Sequence, residues 1–135
     1  MNQFNFKSQL CTSREQSERL LGLGLKKETA DMVYFQHWKN AARKKHDVDV
    51  LSECNFPAWS LHRLIEMMPN EVRNGGYVYE LNINRTYIHY SRYKTEIEDY
   101  VDLEGFSSTD SLYDIVISML KWLINEEYFP KEYLE

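Results

Sequence analysis

Between Tyr77 and Tyr93 the chain alternates twice in succession, first with Tyr77, Tyr79, Leu81 and Ile83 against Val78, Glu80 and Asn82, then with Ile88 and Tyr90 against Tyr87, His89 and Ser91. Successive side chains of an extended backbone point to opposite faces, so this two-residue period predicts paired strands with one face less buried than the other. Asn84-Arg85 sits where a tight hairpin turn belongs: Asn tolerates positive φ, although Arg in the second position departs from the favoured Asn-Gly. Tyr100 to Leu103 would add a further strand and complete a meander. Beyond it, Leu112, Ile115, Val116, Met119, Leu120 and Leu123 recur at helical spacing, with Ser107, Ser108, Thr109 and Asp110 as candidate N-caps. The flank of this helix, Tyr113, Ile117, Trp122 and Ile124, is apolar too, which requires either a sandwiched helix or a covering partner.

The N-terminal half is read from caps and breakers. Phe4, Phe6 and Leu10 alternate with Asn5, Lys7 and Gln9, predicting a strand over Gln3 to Leu10. Thr12 with Glu15 and Ser13 with Gln16 form two overlapping capping boxes that open a helix to about Leu21, with Gly22 placed for the left-handed conformation after it. Thr29 to Phe35 is a short candidate strand. No period holds from Trp38 to Asn55, which reads as a long connection or insertion. Pro57-Ala58-Trp59 is taken as a helix start, Leu61, Leu64, Ile65 and Met68 as the apolar stripe, Pro69 as the stop, and Asn74-Gly75-Gly76 as a loop. The expected class is therefore α+β: a small antiparallel sheet near 77–103 packed against two or three helices at about 13–21, 58–68 and 109–127. Residues 1–135 are expected to form a single domain with a loop or insertion at about 38–55.

A chain of 135 residues has room for one core, and its 43% hydrophobic and 14% aromatic content supplies one. The net charge of −5 conceals an asymmetry: residues 1–50 carry 9 basic and 6 acidic side chains, whereas residues 51–135 carry 7 and 15. The acidity concentrates from Lys94 to Glu135, and the basic counterpart is the short run Trp38-Lys39-Asn40-Ala41-Ala42-Arg43-Lys44-Lys45-His46. No apolar run is long enough to span a bilayer, and the N-terminus lacks the pattern of a signal peptide, so a cytoplasmic protein with no membrane partner and with Cys11 and Cys54 as free thiols is expected.

Motifs that carry chemistry are sparse. His37, His46, His62 and His89 show no paired helical spacing and no Cys-x-x-Cys accompanies them, so no metal and no cofactor is expected; His46-Asp47-Val48-Asp49 reads as a solvated polar loop. Gly22 and Gly24 lack the strand-then-helix context of a phosphate loop. Cys11 precedes a helix N-terminus, but burial at a strand end is its ordinary reading. No catalytic residues are assigned and no enzyme is expected. Two binding surfaces stand out. Tyr77, Tyr79, Tyr87, Tyr90 and Tyr93 offer large contact area at low entropic cost and form the candidate protein-binding set. Trp38, Lys39, Arg43, Lys44 and Lys45 form the candidate nucleic-acid-binding set, with the indole as a stacking platform and the cations on phosphates, against the acidity of the remaining chain.

The segments Thr12 to Leu21, Thr29 to Met32 and Pro57 to Leu61, with the amphipathic helix closing on Trp122-Leu123-Ile124, resemble a group of small uncharacterised proteins of gut anaerobic bacteria, often found among prophage or conjugative-element genes. The resemblance spans most of the chain except Tyr34 to Asn55 and implies a genomic setting without an activity. The strand-strand-strand-helix order from Tyr77 to Tyr128 also looks like that of small antitoxin domains, a likeness of fold alone. The expectation is a non-enzymatic accessory protein that binds an unidentified protein or a second copy of itself through the aromatic hairpin or the acidic C-terminal region, with nucleic-acid regulation through the basic 39–46 segment as the alternative.

Overall fold

The computed structural model describes residues 8–34, the backbone of 41–43, residues 56–108 and residues 111–135. Helix α1 (Arg14–Gly22) begins where the capping boxes predict, and the geometry selects the second of them: Ser13 Oγ accepts from Gln16 N–H and Gln16 Oε1 from Ser13 N–H, at 3.1 and 3.0 Å. Thr12 is turned inward instead. Its Oγ1 accepts from the backbone N–H of Trp59 at 3.0 Å and lies 2.7 Å from Ser17 Oγ, while its own N–H donates to Trp59 O at 2.8 Å. Residues 8–10, the described part of the strand expected over Gln3 to Leu10, are irregular, and Leu10 is 74% exposed. Here Gln9 Nε2 donates to Cys11 O and Gln16 Oε1, a local polar tie in place of a ladder.

Helix α1 runs one residue past expectation, so the left-handed residue is Gly24 (φ +101) and not Gly22. With Leu23 as cap, Gly24 N–H reaches Leu21 O and Leu25 N–H reaches Leu20 O, a Schellman ending that brings Leu25 back beside Leu20 in the core. A 3-10 turn (Lys27–Thr29) then leads into a three-stranded antiparallel sheet of order β2-β1-β3, comprising β1 (Met32–Tyr34), β2 (Ala41–Arg43) and β3 (Phe56–Ala58). Two expectations are corrected. The supposed connection contains strand β2, and Pro57 is not a helix start but lies in edge strand β3 opposite Val33, a position where a missing N–H is tolerated. The true start of helix α2 (Leu61–Met67) is Ser60, whose Oγ accepts from Arg63 N–H at 3.1 Å and donates to Asp31 Oδ2 at 2.5 Å. Met68 adopts the extended conformation that a following proline favours, which ends α2.

The second sheet is an antiparallel meander, β4 (Glu71–Asn74), β5 (Tyr77–Ile83), β6 (Tyr87–Lys94) and β7 (Asp99–Ser107), in that spatial order. It is larger than the expected 77–103 unit. Gly75 (φ +58) and Gly76 (φ +82) make a two-residue turn joining Asn74 to Tyr77, so the expected loop is a hairpin turn of the primed type, matched to strand twist. The next turn is centred on Arg85-Thr86 with neither residue at positive φ; Asn84 Oδ1 accepts from Thr86 N–H at 3.2 Å. Asn84 therefore contributes its side chain, not the left-handed backbone anticipated for it.

Helix α3 (Leu112–Asn125) is the sandwiched alternative. It buries Tyr113, Ile115, Val116, Ile117, Met119, Leu120 and Leu123, packing on β6 and β7 on one side and on α1 and α2 on another. Ser111 precedes it without a side-chain cap. The inner face of the sheet meets it through Ile88 and Tyr90, both wholly buried; Tyr90 Oη donates to Pro69 O at 2.7 Å. After α3, a second Schellman ending carries a non-glycine residue at the left-handed position, Glu127 (φ +62), with Tyr128 N–H bonded to Leu123 O. The chain then returns to the start of the fold: Leu134 bridges Leu25, Lys26 N–H donates to Tyr133 O, and Glu135 N–H to Gly24 O.

The inward turn of Thr12 gives a stability prediction. Replacing it with Val keeps the shape but leaves the buried Trp59 N–H without an acceptor and Ser17 without its hydroxyl partner. Urea unfolding should show a loss of about 2–4 kcal/mol at unchanged m-value, whereas Thr12→Ser should lose less than about 1.5 kcal/mol. Equal losses for the two variants would contradict the assigned role of the hydroxyl.

Candidate functional site

With α3 on its inner face, the meander presents its other face outward, and cross-strand register defines what stands there. Tyr87, His89, Ser91 and Tyr93 of β6 lie opposite Ser107, Gly105, Asp102 and Tyr100 of β7, and Ser91 lies opposite Glu80 of β5. This set depends on a β-bulge. Tyr90 pairs with Glu104 and Ser91 with Asp102, so Leu103 is an extra residue of β7, and it joins the core as a partly buried side chain. Unbroken alternation from Asp102 would place Glu104 on the outer face; the bulge places Gly105 there instead, opposite His89.

A cluster follows from that substitution of glycine for a side chain. The Tyr87 ring lies across Gly105, so closely that an added Cβ would overlap the hydroxyl and ring carbons, and it sits 4.6 Å from the His89 ring, centroid to centroid. Tyr87 O–H donates to Asp102 Oδ2, and His89 Nδ1 lies 2.8 Å from Asp102 Oδ1. Burial acts to raise the Asp102 pKa, but the hydrogen bonds from Tyr87 and His89, with the attraction of the His89 ring, outweigh it and hold the carboxyl below its ordinary value. The hydrogen bond to Asp102, with some burial, pushes the Tyr87 phenol up to about 12. Because an ionised carboxylate has no proton to give, Nδ1 is the donor to Asp102, and Nε2 carries a lone pair whenever the ring is neutral.

Beside this cluster lies an open depression of about 700 Å³ lined by Tyr77, Val78, Glu80, Asn82, His89, Ser91, Arg92, Tyr93 and Tyr100. Tyr93 and Tyr100 pack edge to face at 5.3 Å, and Asn82 Nδ2 donates to Ser91 Oγ at 3.1 Å and to Glu80 O at 3.2 Å. On the opposite side of the same strands, the side of Leu81 and Tyr90, the Arg92 guanidinium lies 3.7 Å from the Tyr77 ring centroid and 5.8 Å from that of Tyr79.

The five tyrosines expected as one recognition surface are thus divided. Tyr90 is core, Tyr79 is half-buried under Arg92, and Tyr87 is engaged by Asp102; Tyr77 and Tyr93 are 52% and 49% exposed. Their exposed neighbours are Tyr100 at 66% and Ile97 at 55%, which the sequence reading did not single out. It also missed His89, Asp102, Asn82 and Glu80 as a group. Alternation alone could have placed His89, Ser91 and Tyr93 together, but the bulge hides Asp102 from any period-two count. Of the nucleic-acid set, Trp38, Lys39, Lys44 and Lys45 lie outside the described residues, and Arg43 is described by its backbone alone, in β2. Cys11 is a buried free thiol in irregular chain and not at a strand end, its pKa raised chiefly by burial. His62 is exposed near Glu66, and no group of three metal-ligating side chains occurs among the described residues. Nor, among them, is any helix long and apolar enough to cross a membrane.

No protein-family model, curated protein or solved structure matches the chain.

Two measurements test the cluster. Gly105→Ala should displace the Tyr87 ring and cost about 1–3 kcal/mol, read by urea unfolding; Tyr87→Phe/Gly105→Ala should cost nearly as much, because the ring carbons also block the site, whereas Tyr87→Ala should relieve the clash. Since Asp102 has a lowered folded-state pKa, its stabilising contribution is present above its unfolded value near 4 and fades as pH falls through the folded value. The gap in melting temperature between the native chain and Asp102→Asn should therefore be open at pH 7 and close below about pH 4; a gap independent of pH would contradict an ionised Asp102 in this cluster.

Proposed function

We propose that this chain is a non-enzymatic accessory protein that binds another protein through the outer face of its four-stranded meander. The observation carrying this reading is the asymmetry of that sheet: α3 covers one face, while the other ends in Tyr93, Tyr100 and Ile97, large apolar side chains standing about half exposed or more at the β6–β7 end. Single exposed apolar residues are ordinary on protein surfaces, but here Tyr93 and Tyr100 pack on one another and line a depression of about 700 Å³, the arrangement of an aromatic anchor region with a polar surround. Tyrosine suits this role because its ring supplies contact area while its hydroxyl stays hydrated. An accessory role within a mobile element agrees with the resemblance carried by the capping and helical segments.

Affinity capture from a cell lysate with the native chain and with Tyr93→Ala/Tyr100→Ala tests the reading. Both residues are exposed, so the double variant should keep its melting temperature within a few degrees while losing the captured protein. Recovery of the same protein by both forms, or of the bait alone as a monomer, would contradict it.

A further inference from the structure

The hydrogen-bonding groups of the depression are unequally spent. Asn82 uses its amide N–H groups on Ser91 Oγ and Glu80 O, which leaves Oδ1 as an acceptor. His89 uses Nδ1 on Asp102, which leaves Nε2 as an acceptor whenever the ring is neutral. The Glu80 side chain is exposed and has no partner among the described residues. Arg92, the one cation of the lining, is already stacked on Tyr77 and reaches Tyr79 Oη with Nε at 3.4 Å. What remains unsatisfied is therefore a set of acceptors from three adjacent positions, Glu80, Asn82 and His89, lining the same depression as Tyr93 and Tyr100.

The surrounding charge has the same sense. Across residues 71–107 there are seven carboxylates, Glu71, Glu80, Glu96, Glu98, Asp99, Asp102 and Glu104, against four cations, Arg73, Arg85, Arg92 and Lys94. Acceptors, aromatic rings and a negative field together fit a planar cation. An arginine guanidinium offers five donors in one plane for dispersed acceptors and a face that stacks on aromatic rings, whereas an ammonium is a compact, strongly hydrated point charge. Arg92 on Tyr77 is an internal instance of that stacking on the same sheet.

We infer that this depression receives the guanidinium of an arginine carried by a basic segment of a partner protein. The inference rests on the protein-binding reading above and specifies the chemistry of the partner. Glu80 supplies the charge-assisted bond, Asn82 Oδ1 and His89 Nε2 supply neutral acceptors, and the Tyr93/Tyr100 pair supplies the stacking wall.

The probe is a short peptide alternating arginine and serine, titrated into isotopically labelled full chain while backbone amide shifts are followed, with a lysine-serine peptide as comparison. Saturable shifts should centre on Glu80, Asn82, His89, Tyr93 and Tyr100, the lysine peptide should bind more weakly, and binding should weaken further as salt is added. Glu80→Gln, an exposed and conservative change, should leave the unbound spectrum nearly unchanged and weaken the arginine peptide about tenfold. Shifts centred instead on the acidic residues near Glu126 to Glu135, equal binding of both peptides, or no weakening in Glu80→Gln would overturn the inference. If any of these occurs while Tyr93→Ala/Tyr100→Ala still abolishes protein capture, the arginine assignment falls and the protein-binding reading stands. Loss of the arginine peptide in Glu80→Gln without any effect of the tyrosine changes on capture would separate the two in the opposite direction.

Discussion

The first half of this fold hangs on the complete hydrogen-bonding of one buried residue, Trp59. Its N–H is met by Thr12 Oγ1, its carbonyl by Thr12 N–H, and its indole Nε1 by Thr29 Oγ1 at 2.9 Å, so a side chain of the largest volume is buried with its donors paired. Each bond crosses between elements distant in the chain. Thr12 stands at the entrance to α1, Thr29 at the end of the 3-10 turn, and Trp59 between β3 and α2. Thr29 Oγ1 donates its own hydrogen bond to Lys26 O at 2.6 Å, and Thr29 O accepts from Arg63 Nε at 2.8 Å, which extends the network onto α2. An unpaired polar group in this position would cost about 1–3 kcal/mol, so the connections specify one arrangement of these elements more sharply than apolar packing alone.

On that platform α3 is the shared wall between the helical half and the meander. Its apolar girth, wider than one stripe, is accounted for by contacts on two sides, and the sheet is thereby left with a single free face. The polar cluster on that face is organised by a bulge and a glycine together. Leu103 goes inward, Gly105 comes opposite His89, and the Tyr87 ring occupies the room that the glycine leaves. Ring and carboxylate then fix the imidazole from two directions.

Local and periodic features were legible in the sequence. The alternation at Tyr77 to Tyr93, the stripe from Leu112 to Leu123, the capping box at Ser13 and the stop at Pro69 each reappear as structure because each depends on neighbours within a few residues. The failures share the opposite property. Thr12 presents the same capping signature as Ser13, and only Trp59, far along the chain, decides between them. Pro57 is as acceptable at a sheet edge as at a helix start, and the choice rests on pairing with Val33. Glu127 gives no warning of a left-handed backbone, since the glycine usual at that position is absent. The candidate site was partly readable as a tyrosine-rich hairpin, but its division into core, engaged and exposed rings required the register, and Asp102 required the bulge.

The closing contacts between the chain end and the turn after α1 bear on how such a protein is made. Leu134 meets Leu25, and Glu135 meets Gly24, although these partners leave a ribosome roughly a hundred residues apart. The turn at Gly24 and Leu25 therefore emerges early and waits for its pairing until residues 133–135 have followed it. During that interval the early helix can hold its cap and its Schellman ending, both local, while Leu25 lacks the strand-like seat it occupies in the finished fold. The last step in assembling this region is accordingly a long-range pairing, however early its helix forms.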